Sequence, residues 1–383
     1  VVPTNYSGLA RCTLCDSRDK TVSSILGVCV DCIRNKFDEA LKYIEEAHRV
    51  TRSRYGLPGS PPRSESGVRC TVCSNKCIIP EDGYGFCGLR YCKDGRLRSN
   101  ISASKALLYG YLDPHVTNCC ASWFCPGGTG RGYPRYAYRS KAEYGYYNYA
   151  LFFYGCNFDC LFCQNYSHRM LGEAPSITVD ELVEATLSNP RISCWCFFGG
   201  SPEPQLPFAI KASSKVLEEK PEDRIVRICF EWNGCGNPKL VEEACRLALI
   251  SGGVVKFDLK AFSRELSYAL SGVDNEEAYR NFEHLYDKFY RSRLEVPLLT
   301  ATTLLVPGYV DEFEVEGIAR FLADLDPDIP YSLLIFHPDY AMRDLPVTPP
   351  KHVRKCYEIA SKYLKNVHIG NLALLHMTYG VGI

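Results

Sequence analysis

The stretch Tyr154-Gly155-Cys156-Asn157-Phe158-Asp159-Cys160-Leu161-Phe162-Cys163-Gln164-Asn165 constrains the chain more than any other. It follows an apolar, aromatic run ending at Phe153 and sets three cysteines at C-x3-C-x2-C spacing. A cubane iron–sulfur cluster usually takes four thiolates. Three from one tight loop hold three irons and leave the fourth open to a substrate or cofactor. The alternatives are a zinc loop or buried thiols, but zinc sites favour paired C-x2-C knuckles. Cys156, Cys160 and Cys163 are therefore the expected cluster ligands and catalytic centre.

The chain holds 21 cysteines in 383 residues. In a small secreted domain that would indicate disulfides. Here they fall in C-x2-C and C-x3-C groups within a long chain that shows no signal peptide, so reduced, metal-bound cysteine is expected. No apolar run is long enough to span a bilayer, so a cytoplasmic protein with no membrane partner is expected. So many oxidisable thiolates imply an anaerobic or strongly reducing cell. Lys+Arg and Asp+Glu balance at 44 each, which leaves no bulk electrostatic case for nucleic acid.

Cys12 and Cys15 face Cys29 and Cys32 across thirteen residues, the spacing of a tetrahedral site, with zinc ahead of iron. Phe37, Leu41, Ile44 and Ala47 then recur at helical spacing. A Gly-, Pro- and Ser-rich stretch to Gly67 has the composition of a linker. Cys70, Cys73, Cys77 and Cys87 make a second group, suited to zinc or an additional iron–sulfur cluster, with Cys92 as a spare. Cys119, Cys120 and Cys125 suit ligands, redox relays or buried thiols equally. The expected units are 1–50, a cysteine knuckle and helix; 51–67, a linker; 68–148, a second Cys-rich region and Tyr-rich insert; and 149–383, the core. The insert's tyrosines and arginines, placed just before the cluster strand, suit a loop that packs over the barrel mouth first, a peptide-recognition surface there next and RNA contact last.

In the core, strands are expected at 149–153, 194–198, 224–230, 254–258, 294–305, 331–336 and 367–369, with helices between them. Thr178 and Glu181 form a capping box. Alternating strands and helices imply a parallel sheet, and the length from Tyr149 onward suits a partial barrel of about six units rather than eight. Functional groups then belong at the C-terminal strand ends.

The cluster loop, with Phe162 before its third cysteine, resembles that of radical S-adenosylmethionine (SAM) enzymes. Val68-Arg69-Cys70-Thr71-Val72-Cys73 and Gly83-Tyr84-Gly85-Phe86-Cys87-Gly88-Leu89-Arg90 resemble the leader of the subgroup related to pyruvate formate-lyase activating enzymes, which includes the AmmeMemoRadiSam-type proteins. The resemblance runs from about Val68 to the C-terminus, the insert excepted. It implies an α/β fold with a partial (β/α)6 TIM-like barrel and a [4Fe-4S] cluster whose open iron chelates SAM. It also implies reductive cleavage of SAM to a 5′-deoxyadenosyl radical, with ferredoxin or flavodoxin as reductant.

By the same resemblance, Phe197-Phe198-Gly199-Gly200-Ser201-Pro202 is similar to the glycine-glycine-acid motif that receives the SAM amino group. Ser201 replaces the usual acid, which leaves Glu203 as a nearby carboxylate. Glu231-Trp232-Asn233-Gly234 and Phe257-Asp258-Leu259-Lys260 match segments that hold a monovalent cation and reach SAM, through Glu231, Asn233, Asp258 and Lys260. His337 falls where a histidine approaches SAM. The implied substrate is a carbon of a protein or peptide, ending as a glycyl radical or a methylated carbon. Methylation would use cobalamin, for which no D-x-H-x-x-G motif is present. The alternatives are an RNA-modifying enzyme that binds RNA through the N-terminal knuckles, and an electron carrier.

Overall fold

The structure is a computed structural model and describes residues 11–382, so residues 1–10 of the expected knuckle unit lie outside it. Cys29 leads into α1 (Val30–Asn35), and α2 (Phe37–Ser53) follows. Ala40, Ile44 and Ala47 are buried along one face of α2, as helical spacing requires, and His48, Thr51 and Arg52 continue that face into the interior. The stretch expected to be a linker is packed instead. Thr51 and Arg52 still belong to α2, and the Arg52 guanidinium bonds the carbonyls of Pro58 and Phe86. Ile78 N donates to Pro62 O at 2.9 Å. Two small antiparallel pairs follow: β1 (Val68–Arg69) with β2 (Ile78–Ile79), and β3 (Arg90–Lys93) with β4 (Arg96–Ser99).

A long strand not expected from the sequence, β5 (Lys105–Pro114), comes next. The insert carries only the short α3 (Pro126–Thr129) before β6 (Tyr147–Phe153) begins the core. The core then runs β7 (Ser176–Thr178), α4 (Val179–Leu187), β8 (Ile192–Gly199), α5 (Leu206–Glu219), β9 (Arg227–Trp232), α6 (Pro238–Ser251) and β10 (Val255–Asp258). It continues through α7 (Arg264–Ser271), α8 (Glu276–Phe289), β11 (Leu299–Leu305), α9 (Glu312–Leu325), β12 (Tyr331–Ile335), α10 (Pro350–Ala360), β13 (Val367–Gly370) and α11 (Ala373–Tyr379). The Thr178/Glu181 capping box starts α4 as expected. No described helix is long and apolar enough to cross a membrane.

The sheet order is β13-β12-β11-β10-β9-β8-β6-β5-β7. From β6 to β13 every neighbouring pair is parallel, which gives six crossovers and agrees with a partial barrel of about six units. β5 extends the sheet antiparallel to β6, and its first residues pair with β7. Side chains alternate between faces along each strand. Trp195, Phe197, Ile228, Phe230, Val255 and Phe257 are fully buried on the helix-covered face. The opposite, inner face of β8, β9 and β10 carries Cys194, Cys196, Arg227, Cys229, Glu231, Lys256 and Asp258, an unusually polar lining for a barrel.

The insert does not lie at the barrel mouth. Pro114 pairs with Tyr147, so both ends of the insert leave the start of β6, whereas the cluster loop leaves its end, about 20 Å away. The insert plugs the floor. Trp123 Nε1 donates to Ser332 Oγ at 3.1 Å, and its ring stacks on His368. Glu143 pairs with Arg227 at 2.6 Å, both buried, and His115 Nε2 lies 3.1 Å from Ser193 Oγ. Tyr136 is buried against Gly252, and Tyr138 stacks on Tyr146 at 4.6 Å. Tyr136 and Tyr138 serve packing, as the first reading of the insert expects, but on the floor of the barrel and not over its mouth.

Candidate active site

The cluster loop turns at Gly155, whose φ of +79° suits glycine, and is clamped from below. Asp159 N donates to Ser271 O at 2.7 Å and Leu161 N to Leu270 O at 2.9 Å. Asn157 Nδ2 donates to Cys235 O at 3.1 Å, and Asn75 Nδ2 donates to Asn157 O at 2.7 Å. These ties bring Cys156, Cys160 and Cys163 to one cavity, with Phe158 and Phe162 beside them. Burial pushes the Cys160 thiol up to about 11 despite the Lys260 charge nearby, so a bare thiolate is disfavoured there. Metal coordination replaces the proton and removes that penalty.

Gly199 and Gly200 form the facing wall. Gly199 has φ +110°, and a Cβ on Gly200 would meet Gly155 O at 2.2 Å, so neither position accepts a side chain. Ser201 lines the cavity and accepts a hydrogen bond from Asn233 Nδ2 at 3.0 Å. Glu203, the nearby carboxylate, is fully buried outside that lining, and its Oε1 accepts from Gly234 N at 2.7 Å. It holds the turn after β9 rather than facing the cavity.

Glu231, Asn233, Asp258 and Lys260 all line the cavity. Burial alone lowers the Lys260 ammonium, but Asp258, in direct contact with it, raises it above the ordinary lysine range and keeps it charged. His337 is not among the lining residues. It is half-exposed and pairs with Asp339 at 3.0 Å, because the chain turns outward after β12. Sequence reasoning missed His168, Trp232, Leu304 and Leu334, which also line the cavity. Alternation along β11 and β12 is the signal that would have found the two leucines.

The cavity encloses about 840 Å³ including its open mouth. Trp232 Nε1, Asp258 Oδ1 and His168 Nδ1, all in lining residues, are buried without hydrogen-bond partners among the described residues. Such groups cost roughly 1–3 kcal/mol each when left unpaired. Together with three thiols lining the same cavity and a glycine wall, they fit a cluster and a polar, zwitterionic ligand.

Of the N-terminal cysteines, Cys12, Cys15, Cys29 and Cys32 converge with all four sulfurs within 4.8 Å of one another. The Cys12–Cys32 and Cys15–Cys29 separations are 3.7 Å. A tetrahedron of roughly 2.3 Å metal–sulfur bonds has edges of about that length, so the set fits one metal ion. Cys70, Cys73, Cys77 and Cys87 lie near one another, and after burial itself the charge of Cys87 is the largest influence raising the Cys73 thiol. They do not form a group drawn within 4.8 Å among the described residues. Their segment is pinned to the barrel by Ser74 N donating to Cys235 O at 3.0 Å. Cys92 lies apart on β3, with its thiol 3.2 Å from Glu81.

A parallel barrel with three thiols on the loop after its first parallel strand, opposite a glycine wall and a charged lysine, suits an enzyme site built to hold an iron–sulfur cofactor. Residues 151–322 match the family model described as the Radical SAM superfamily. The chain carries a radical SAM domain over those residues and is an enzyme, with relatives among proteins named as glycyl-radical enzyme activating enzymes.

Two Methanocaldococcus jannaschii proteins are among its relatives. MJ1227, provisionally named a glycyl-radical enzyme activating enzyme, is 26% identical over 227 residues, covering 57% of this chain and 87% of its own. The uncharacterised MJ0808 is 26% identical over 331 residues, covering 80% and 82%. Among solved structures, a domain of pyruvate-formate lyase-activating enzyme from Bacteroides vulgatus superposes with a TM-score of 0.37 and 20% identity, over 46% of this chain and 98% of that one. Streptococcus suis SuiB bound to precursor peptide SuiA gives 0.44 and 11%, over 57% and 47%. These superpositions are loose, and the radical SAM domain is shown by the match over residues 151–322.

Proposed function

We propose that this radical SAM enzyme abstracts a hydrogen atom from a carbon of a protein or peptide substrate. The observation that carries the reading is the cavity where Cys156, Cys160 and Cys163 face Gly199, Gly200, Asp258 and Lys260 beside orphaned polar atoms of Trp232, Asp258 and His168. The three cysteines would hold three irons of a [4Fe-4S] cluster, and the glycine wall, Ser201 and Lys260 would hold SAM. When bound, cluster and SAM supply a 5′-deoxyadenosyl radical once a ferredoxin- or flavodoxin-like donor provides an electron. The glycine backbone permits close approach of the ligand. The Lys260 charge suits an anionic group, and Phe158, Phe162, Leu304 and Leu334 line the reacting space with apolar surface.

A polypeptide substrate is supported by the relatives named as activating enzymes and by an aromatic strip beside the cavity. Tyr109 stacks on Phe152 at 5.1 Å, and Phe152 meets Phe198, which lines the cavity. Tyr109 is 40% exposed and Tyr111 44%. Such a strip offers large contact area at low side-chain entropy cost.

Anaerobic reconstitution with iron, sulfide, SAM and a reductant tests the reading. We expect 5′-deoxyadenosine together with a radical or mass change on a co-purifying or co-encoded polypeptide. Turnover coupled only to RNA or to a small metabolite overturns the substrate class, and absence of 5′-deoxyadenosine overturns the chemistry.

A further inference from the structure

Beneath the SAM cavity the barrel holds a second constellation that the proposed chemistry does not use. Strand register sets Glu231 level with Lys256 and Cys196 level with Cys229. The floor insert brings Cys119 and Cys120 up to meet them. Lys256, 2% exposed, places Nζ 3.2 Å from Cys119 Sγ, 3.0 Å from Cys196 Sγ and 3.2 Å from a Glu231 carboxylate oxygen. The two vicinal sulfurs and the Glu231 carboxylate lie within 4.8 Å of one another.

The cysteine pair is held firmly. Cys120 O accepts from Trp123 Nε1 at 3.0 Å and from Ser332 Oγ at 2.9 Å, and Ala121 N donates to Cys119 Sγ at 3.4 Å. Two donors on one clamped turn thus meet a third on a rigid strand. Charge also closes: two thiolates and one carboxylate carry three negative charges, and a divalent ion with the Lys256 ammonium carries three positive ones. A buried group of charges is tolerable only when it is compensated in this way.

We propose that Cys119, Cys120 and Glu231 bind a divalent metal ion of the zinc class on the floor of the SAM cavity, independently of both N-terminal cysteine groups. Thiolates select zinc-type ions over magnesium or calcium. The sulfurs therefore shift Glu231 away from the monovalent-cation role that resemblance implied. Three protein donors leave a fourth tetrahedral position for an outside ligand, the pattern of catalytic rather than structural zinc. Glu231 also lines the upper cavity, so that position suits a lone-pair donor of the substrate, such as an imidazole or thiolate.

Full-length protein purified anaerobically provides the test, with zinc, iron and sulfide measured and Co2+ as the probe ion. Wild type is compared with Cys119→Ser/Cys120→Ser, with Glu231→Gln, and with Cys245→Ser as a buried thiol elsewhere. The double variant should lose one zinc or cobalt equivalent and part of the sulfur-to-cobalt charge-transfer absorption, keeping its iron. Glu231→Gln, which preserves shape, should weaken Co2+ binding at least about tenfold at that site with an unchanged circular dichroism spectrum. Cys245→Ser should retain the wild-type metal content. Unchanged metal in the double variant, wild-type Co2+ affinity in Glu231→Gln, or loss of several irons with sulfide in place of one divalent ion each overturns the proposal. The last outcome would mark a cluster.

Discussion

His48 Nδ1, on the helix after the N-terminal knuckle, lies 2.8 Å from Asp159 Oδ2 in the middle of the cluster loop, and both side chains are almost wholly buried. Arg169 reaches the same carboxylate at 2.8 Å, Thr51 Oγ1 donates to it at 3.1 Å, and Arg52 stands 3.6 Å away. The cysteine-rich N-terminus is thus a buttress for the loop that carries Cys156, Cys160 and Cys163.

Asp159→Asn leaves two buried arginines facing a neutral partner and should cost about 3–5 kcal/mol. His48→Ala removes one polar contact and should cost about 1–3 kcal/mol. Denaturant unfolding of the two variants measures both losses, and a larger loss for His48→Ala would show that the histidine, not the carboxylate, holds the network.

Alanine at Cys156, Cys160 or Cys163 leaves too few thiolates to keep a site-differentiated cubane. Each variant should produce 5′-deoxyadenosine only at background level, measured by mass spectrometry after reconstitution. Wild-type yield from any of the three would end the cluster assignment.

Cys12→Ser should remove one metal equivalent while the fold from Val68 onward persists. Because α2 carries His48 and Arg52 against the loop, iron loading at the distant cluster should also fall. Elemental analysis reads both, and full iron retention would separate the knuckle from the loop.

Burial pushes the Glu203 carboxyl up to about 7, although Ser201 and backbone N–H groups pull it down. Its ordinary value is about 4.3. Between these values the folded state binds more protons than the unfolded, so this group's contribution is full below about pH 4 and is lost as pH rises through about 7. Glu203→Gln should flatten stability over that window by on the order of 3 kcal/mol, checked by denaturation at pH 5 and pH 8.

Tyr136→Ala should cost about 3 kcal/mol, because the ring fills space against Gly252 and near Arg293. SAM cleavage per folded molecule should stay near wild type in a coupled thermal-melt and turnover assay, since the insert lies on the floor of the barrel.

Much of the candidate site was legible in local spacing. C-x3-C-x2-C, the Cys12–Cys32 knuckles, the Thr178/Glu181 box and the alternation of β6 through β13 are short-range patterns, because cluster ligation, capping and side-chain facing are set within a few residues. What tertiary structure alone decided is everything that depends on where distant segments meet. β5 was hidden because a strand added antiparallel to the barrel is defined by its pairing with β6 and β7 rather than by its own sequence. The insert's place on the floor follows from that antiparallel pairing, which returns the chain to the start of β6. His337 points outward because of the turn after β12. Lys256, Cys119 and Glu231 stand together only because strand register and a folded-in loop bring residues 119, 231 and 256 to one point.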